Sequence, residues 1–452
     1  MHKFMSISLA AMACLAAYPV IAKVSPEEAA RLGTELTPVG AEKAGNEDGS
    51  IPEWTPAPQK GELSGAYPSD PVIDAEKPLF TITKANMAEY EAMLSEGHKY
   101  LLQNYDSYKM NVYPSHRSVS FPDFIYEWTK WNATNCDLLD VDTPDNCKIG
   151  FTYPIPQSGA EVIWNHRVRY RGSDVRRYNN QMIVQRDGQF QLTKIIEEAK
   201  LYYAVAPDKN PMPLLKGDGL FLKYFSQTVE PPRMAGLMLL AHERSGAGPE
   251  GRQAWLYSPA IKRLRRAPTV CCDNPYEGTD GHQFYDQVDM FNGVLERYTW
   301  KLLGKREMIV PYNSNRIAGD SVKFADLAAP GHLNQDLPRY EKHRVWVVEA
   351  SIREGTNHIF HKRVFYVDED SWYPQAVDNY DARGGLMQMQ EGHTVFVSNI
   401  QTALGTPEVI YHFNSGRYFI TAMANEDKPN DWSVKFDDAD FEPNAIQKRA
   451  LK

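Results

Sequence analysis

Residues able to do chemistry are concentrated between Cys271 and Gly293. Cys271 and Cys272 are adjacent, and Asp273, Glu277, Asp280, Asp286 and Asp289 follow before Asn292-Gly293. Clustered carboxylates can hold calcium or move protons. Asp interspersed with Gly also spells a solvated, turn-rich loop, and that is the expectation here, with no metal ligand and no catalytic residue assigned. The adjacent thiols have three open fates: a strained vicinal disulfide, two free thiols, or a shared soft metal. A second charged cluster, Lys262-Arg263-Leu264-Arg265-Arg266, directly follows the aromatic run Trp255-Leu256-Tyr257-Ser258-Pro259. Arg263, Arg265 and Arg266 suit an anionic head group or an acidic partner. The alternative is an ordinary strand with a charged outer face.

The usual catalytic signatures are missing. There is no Gly-x-Ser-x-Gly, no His-Glu-x-x-His and no phosphate loop. Gly246 to Gly251 matches dinucleotide spacing in form, but Pro249 sits inside it and Gln253 to Tyr257 reads as a strand where a helix is required. The 12 histidines form no ligand pair at helical spacing, and His358 and His361 fall on opposite faces of a strand. No cofactor is expected, and an enzyme is not. A hydrolase remains the last alternative, with Asp280 to Asp289 as its place. Asn46-Glu47-Asp48-Gly49 lacks the alternating ligands of a calcium loop and reads as a turn that seats Trp54. A net charge of -9 weighs against nucleic acid as a partner.

The elements that must position these residues begin after a leader. Residues 1–22 read as a signal peptide: Lys3, an apolar stretch from Phe4, and small residues before Lys23. Cys14 lacks the leucine three positions earlier that a good lipidation box carries. Export makes disulfides possible. Five cysteines reduce to four without the leader, and Cys136 and Cys147 flank a short polar loop. Bridging them would contribute about 2–3 kcal/mol by restricting the unfolded chain.

Residues 23–85 are rich in Pro and Gly and read as an extended arm. The unit expected at 86–425 opens with a helix over 86–104, where Met87, Tyr90, Leu94 and Leu101 recur at helical spacing and Asn86 and Glu89 resemble a capping box. Another helix is expected near 159–166. Residues 192–199 read as helix or strand.

Strand patterns dominate beyond residue 165. In 297–302, Tyr298, Trp300 and Leu302 share one face and Arg297, Thr299 and Lys301 the other. Residues 345–352 and 358–367 suggest a hairpin, and 386–400, 408–413 and 417–423 continue the pattern. Short turns between consecutive strands predict an antiparallel sheet. Residues 426–452 read as a polar, loosely held tail.

The stretch Trp255 to Pro259 with Arg263 to Pro268 resembles a motif of outer-membrane lipoprotein-sorting proteins. More specifically, the chain resembles a family of exported proteobacterial proteins of unknown function. The resemblance rests on Leu36 to Glu42 with Gly45-Asn46 and Asp48-Gly49, Met110 to Pro114 with His116-Arg117, and Gly159-Ala160-Glu161 with Trp164-Asn165-His166. It also rests on Phe291-Asn292-Gly293, Lys305 to Met308, Val310 to Ser314 and Lys362 to Tyr366. Cys271-Cys272 departs from the family pattern. The resemblance implies an α+β fold, a strongly curved antiparallel half-barrel covered by helices, like that of the LolA/LolB-like lipoprotein carriers. It implies a periplasmic binding or carrier protein for a hydrophobic ligand, a lipid or acyl chain, accessory to an inner-membrane transporter or outer-membrane protein. Trp255, Tyr257, Tyr298 and Trp300 are the expected ligand contacts, with plain sheet–helix core as their alternative. A structural or assembly protein of the envelope is the other reading.

Overall fold

The computed structural model describes residues 23–56, 70–206, 219–246 and 251–450. The leader 1–22 and Cys14 lie outside the described residues. The strands, in chain order, are β1 (Phe80–Ile82), β2 (Met110–Val112), β3 (Asp137–Asp140), β4 (Thr143–Asp145), β5 (Asp174–Val184), β6 (Phe190–Leu201), β7 (Leu220–Glu230), β8 (Met238–Arg244) and β9 (Arg252–Ser258). They continue with β10 (Arg263–Arg266), β11 (Tyr298–Pro311), β12 (Tyr340–Ile352), β13 (Lys362–Asp368), β14 (Pro374–Tyr380), β15 (Leu386–Val397), β16 (Thr402–His412) and β17 (Arg417–Met423).

Fifteen of these strands form one sheet in the order β1-β2-β12-β13-β14-β15-β16-β17-β5-β6-β7-β8-β9-β10, with β11 on β12 and the separate hairpin β3-β4. All neighbours are antiparallel except β2 and β12, which touch at a single parallel pair. Sequence neighbours pair directly because short turns join them, as expected from the alternating pattern. The sheet is curved and does not close, so β10 remains an edge. Residues 192–199 resolve as strand β6, where β-branched Thr193, Ile195 and Ile196 suit the pleat. Residues 345–352 and 362–368 pair as the expected hairpin.

Two local expectations are corrected. Residues 86–104 do not form one helix. Met87–Met93 is a 3-10 turn, Leu94 is extended, and the α-helix starts at Glu96. Ser95 stops the run because its Oγ accepts from His98 N at 3.1 Å. The buried carboxylate of Asp378 takes the next free amides, Glu96 N and Gly97 N, both at 3.0 Å. Asn86 makes no cap and instead accepts from Thr83 N. The tail is not loosely held either. Phe436, Phe441 and Ile446 are buried against Phe225, Met238, Leu240 and Tyr257, because β7 to β9 are apolar on both faces and each face needs a cover.

The helix Gly159–Arg167 lies against β11 and β12. A Cβ at Gly159 would meet Val348 at 2.7 Å and the Trp300 backbone at 3.1 Å, so the close approach requires glycine there. Cys136 and Cys147 are bridged, tying the end of the helix Asp123–Asn135 to the β3-β4 hairpin. On the arm, Trp54 is buried behind the Asn46–Ser50 turn, where Asn46 Oδ1 accepts from Ile51 N.

Candidate functional site

One face of β5 to β9 and the adjoining ends of β16 and β17 wall a cavity. Period-two alternation puts Val175, Arg177, Asn179 and Gln181 of β5 on it, with Glu197, Ala199 and Leu201 of β6 and Leu239, Ala241 and Glu243 of β8. The segment from Val270 to Asn292 closes the other side with Val270, Tyr276, Tyr285, Val288 and Phe291. The walls enclose about 1330 Å3 free of atoms, part of it open to solvent. The cavity volume is about 130 Å3, against roughly 10–15 Å3 for a single water. The space is therefore a slot, narrow and mostly apolar, as in sites for small greasy molecules.

The slot also carries charge, and most of it is paired. Arg177 meets Glu197 at 2.5 Å, Arg252 meets Glu243 at 2.5 Å, and Arg171 meets Asp289 at 2.6 Å. Asn179 and Tyr224 also donate to Glu197. Burial alone would push Asp289 up, but Arg169 and Arg171 outweigh it and hold the carboxyl well below its usual range. The reverse holds at Glu408: burial, reinforced by Asp289, pushes it up to about 8, and it accepts from Tyr373 Oη at 2.8 Å.

The sequence-predicted site residues are elsewhere. Trp255 and Tyr257 pair with Leu240 and Met238 in register, on the face of the sheet opposite the slot, where the C-terminal segment covers them. Tyr298 and Trp300 fill the core. Tyr298 Oη donates to Phe360 O at 2.9 Å and Trp300 Nε1 to Leu295 O at 2.8 Å, and the Trp300 ring lies 5.4 Å from Phe291. None of the four borders the slot. Aromatic content pointed to them, but the covering segments, distant in sequence, decide which face is hollow. Arg263, Arg265 and Arg266 are exposed on the edge strand β10. The signal missed is Arg167-Val168-Arg169-Tyr170-Arg171, three arginines at alternate positions, all reaching the slot or its rim.

The acidic stretch is not a solvated loop; it is part of the cover. Asp286 takes Arg363 and His358, each at 2.8 Å, and Asp289 takes Arg169 and Arg171. These two carboxylates neutralise buried cations. Cys271 and Cys272 are separate thiols, with Cys272 buried. Away from the slot, His343, Asp368 and Asp370 bring ligand atoms within 4.8 Å of one another. Arg117 already sits on both Asp370 oxygens at 2.8 Å and Glu341 on His343 Nε2 at 2.9 Å, so positive charge is supplied there by the chain itself. The described residues contain no helix long and apolar enough to cross a membrane.

The family model for DUF1329, a protein of unknown function, matches residues 81–447. An uncharacterized protein of Pseudomonas aeruginosa is 41% identical over 450 residues, 97% of this chain and 96% of its own. Among solved structures, a putative outer membrane lipoprotein-sorting protein domain from Vibrio parahaemolyticus aligns with a TM-score of 0.44 and 16% identity, over 64% of this chain and 98% of that one. A DUF1329 family protein from Desulfovibrio piger gives 0.43 and 14%, over 64% and 97%. A LolA superfamily protein from Nitrosomonas europaea gives 0.38 and 11%, over 64% and 99%.

Proposed function

The chain belongs to the DUF1329 family, and we propose that it is an exported binding or carrier protein for a hydrophobic ligand, not an enzyme. The observation that carries the reading is the slot between β5–β9 and the segment 270–292, with Leu201, Phe221, Leu239, Val270, Val288 and Phe291 on its walls. Moving an acyl chain from water into such a lining gains about 25 cal/mol per Å2 of apolar surface removed. The leader-like residues 1–22 support a periplasmic setting for that work, where a lipid must cross water between two membranes.

The exposed arginines of β10 supply the second half of the reading. Arg263, Arg265 and Arg266 stand in solvent on an unpaired edge, an arrangement suited to an anionic membrane surface or an acidic envelope protein. A transporter or outer-membrane protein would be met there, away from the slot.

Purification without detergent, followed by native mass spectrometry and solvent extraction, tests the proposal. A near-stoichiometric lipid or fatty acyl compound is expected. Protein that is ligand-free and also fails to take up added amphiphiles would overturn it in favour of a structural role in the envelope.

A further inference from the structure

Arg167 is the least closely paired arginine of the slot. Four guanidinium groups line it, those of Arg167, Arg171, Arg177 and Arg252. Three of them have a lining carboxylate at 2.5–2.6 Å. The fourth lining carboxyl, Glu408, accepts from Tyr373 Oη, and Arg167 has no carboxylate within hydrogen-bond distance. Its nearest is Asp142 at 3.7 Å, whose two oxygens already accept from Leu295 N and Glu296 N at 2.8 Å. Among the described residues no hydrogen bond reaches the Arg167 side chain, and its Nε is buried without a partner. The residue is only 7% exposed. Its guanidinium lies 4.4 Å from the Trp164 ring and 5.5 Å from that of Phe221, which offsets part of the cost of burial. Burial, only partly countered by Asp142 and Glu243, holds its pKa below the arginine norm.

A buried cation with its donors unused is expensive. Here it sits at the wall of an apolar slot, together with further donors that no hydrogen bond uses, among them Arg171 Nε and Tyr285 Oη. The geometry points to an anionic amphiphile as the ligand: a carboxylate or phosphate head on Arg167 and an apolar tail along the slot. This inference rests on the carrier reading and narrows it from greasy molecules in general to acidic ones. A planar guanidinium is suited to both heads, since it can donate two parallel hydrogen bonds to either.

The test compares dodecanoate, dodecyl phosphate, dodecanol and inorganic phosphate, below their aggregation concentrations, by isothermal titration on the full mature chain. Dodecanoate and dodecyl phosphate should bind about 10- to 100-fold more tightly than dodecanol, the range expected for charged hydrogen bonds. Arg167→Met should erase that difference, leave dodecanol unchanged and not lower the melting temperature of the ligand-free protein. Arg167→Lys should keep part of the preference. Equal binding of acid and alcohol to the wild type would overturn the inference and leave the carrier reading standing. Failure of all three amphiphiles would overturn both. Inorganic phosphate binding as tightly as dodecyl phosphate would identify a site for the free anion and contradict the amphiphile.

Discussion

At the scale of single residues, the slot is defined by which side chains alternate inward. Ala241 lies on the wall, one position from Leu240, which points into the opposite cluster. Ala241→Trp should fill the slot and weaken dodecanoate binding at least about tenfold, while the far-ultraviolet circular dichroism stays as in the wild type, because a void receives the added ring. Equal binding by the variant would mean that ligands sit elsewhere. Glu408 gives a pH prediction. Its folded pKa is near 8 against the ordinary 4.5, so the folded state keeps a proton that the unfolded chain loses. The stability tied to that proton is intact below about pH 4.5 and is lost as pH rises towards 8. The melting temperature of Glu408→Gln should therefore gain on the wild type between pH 5 and pH 9; a constant difference would contradict the assignment. None of this is legible from composition, because a guanidinium such as Arg167 is set apart only by lacking the close carboxylates that Arg171, Arg177 and Arg252 have.

At the scale of elements, local pattern predicted strands well and covers poorly. Alternation in 297–302 and the two-strand reading of 345–367 follow from period two, which any half-buried strand must display. The continuous helix over 86–104 failed because Ser95 and the distant Asp378 compete for the amides at its centre. The tail was misread because three apolar residues, Phe436, Phe441 and Ile446, are spaced too widely to look like a stripe, yet all meet the outer face of β7–β9. Phe441→Ala should cost about 3–5 kcal/mol in urea unfolding, whereas a dispensable tail would give almost none. The Cys136–Cys147 bridge was legible, since two cysteines flanking one short polar loop have few alternatives. The double serine variant should lose about 2–3 kcal/mol, measured under non-reducing conditions; reducing agent should have no further effect on it.

At the scale of the whole molecule, the antiparallel sheet was readable from turn spacing, and the family from landmarks such as Leu36 to Glu42 and Lys362 to Tyr366, with the curvature following only from that resemblance. The position of the hollow was not. A sheet this broad has two faces, and β8 shows apolar residues on both, Met238 and Leu240 on one and Leu239 and Ala241 on the other. Which side is packed shut depends on segments more than 150 residues downstream in one case and directly following β10 in the other. The aromatic residues Trp255 and Tyr257 went to the packed side and the arginines of 167–171 to the hollow one. The most direct measurement is a crystal structure of the protein soaked with 12-bromododecanoic acid, with the bromine located by its anomalous signal. The account predicts bromine density inside the slot between β5–β9 and the segment 270–292, with the carboxylate at Arg167. Bromine found only on the outer face beside Trp255 and Tyr257, or nowhere on the protein, would contradict it.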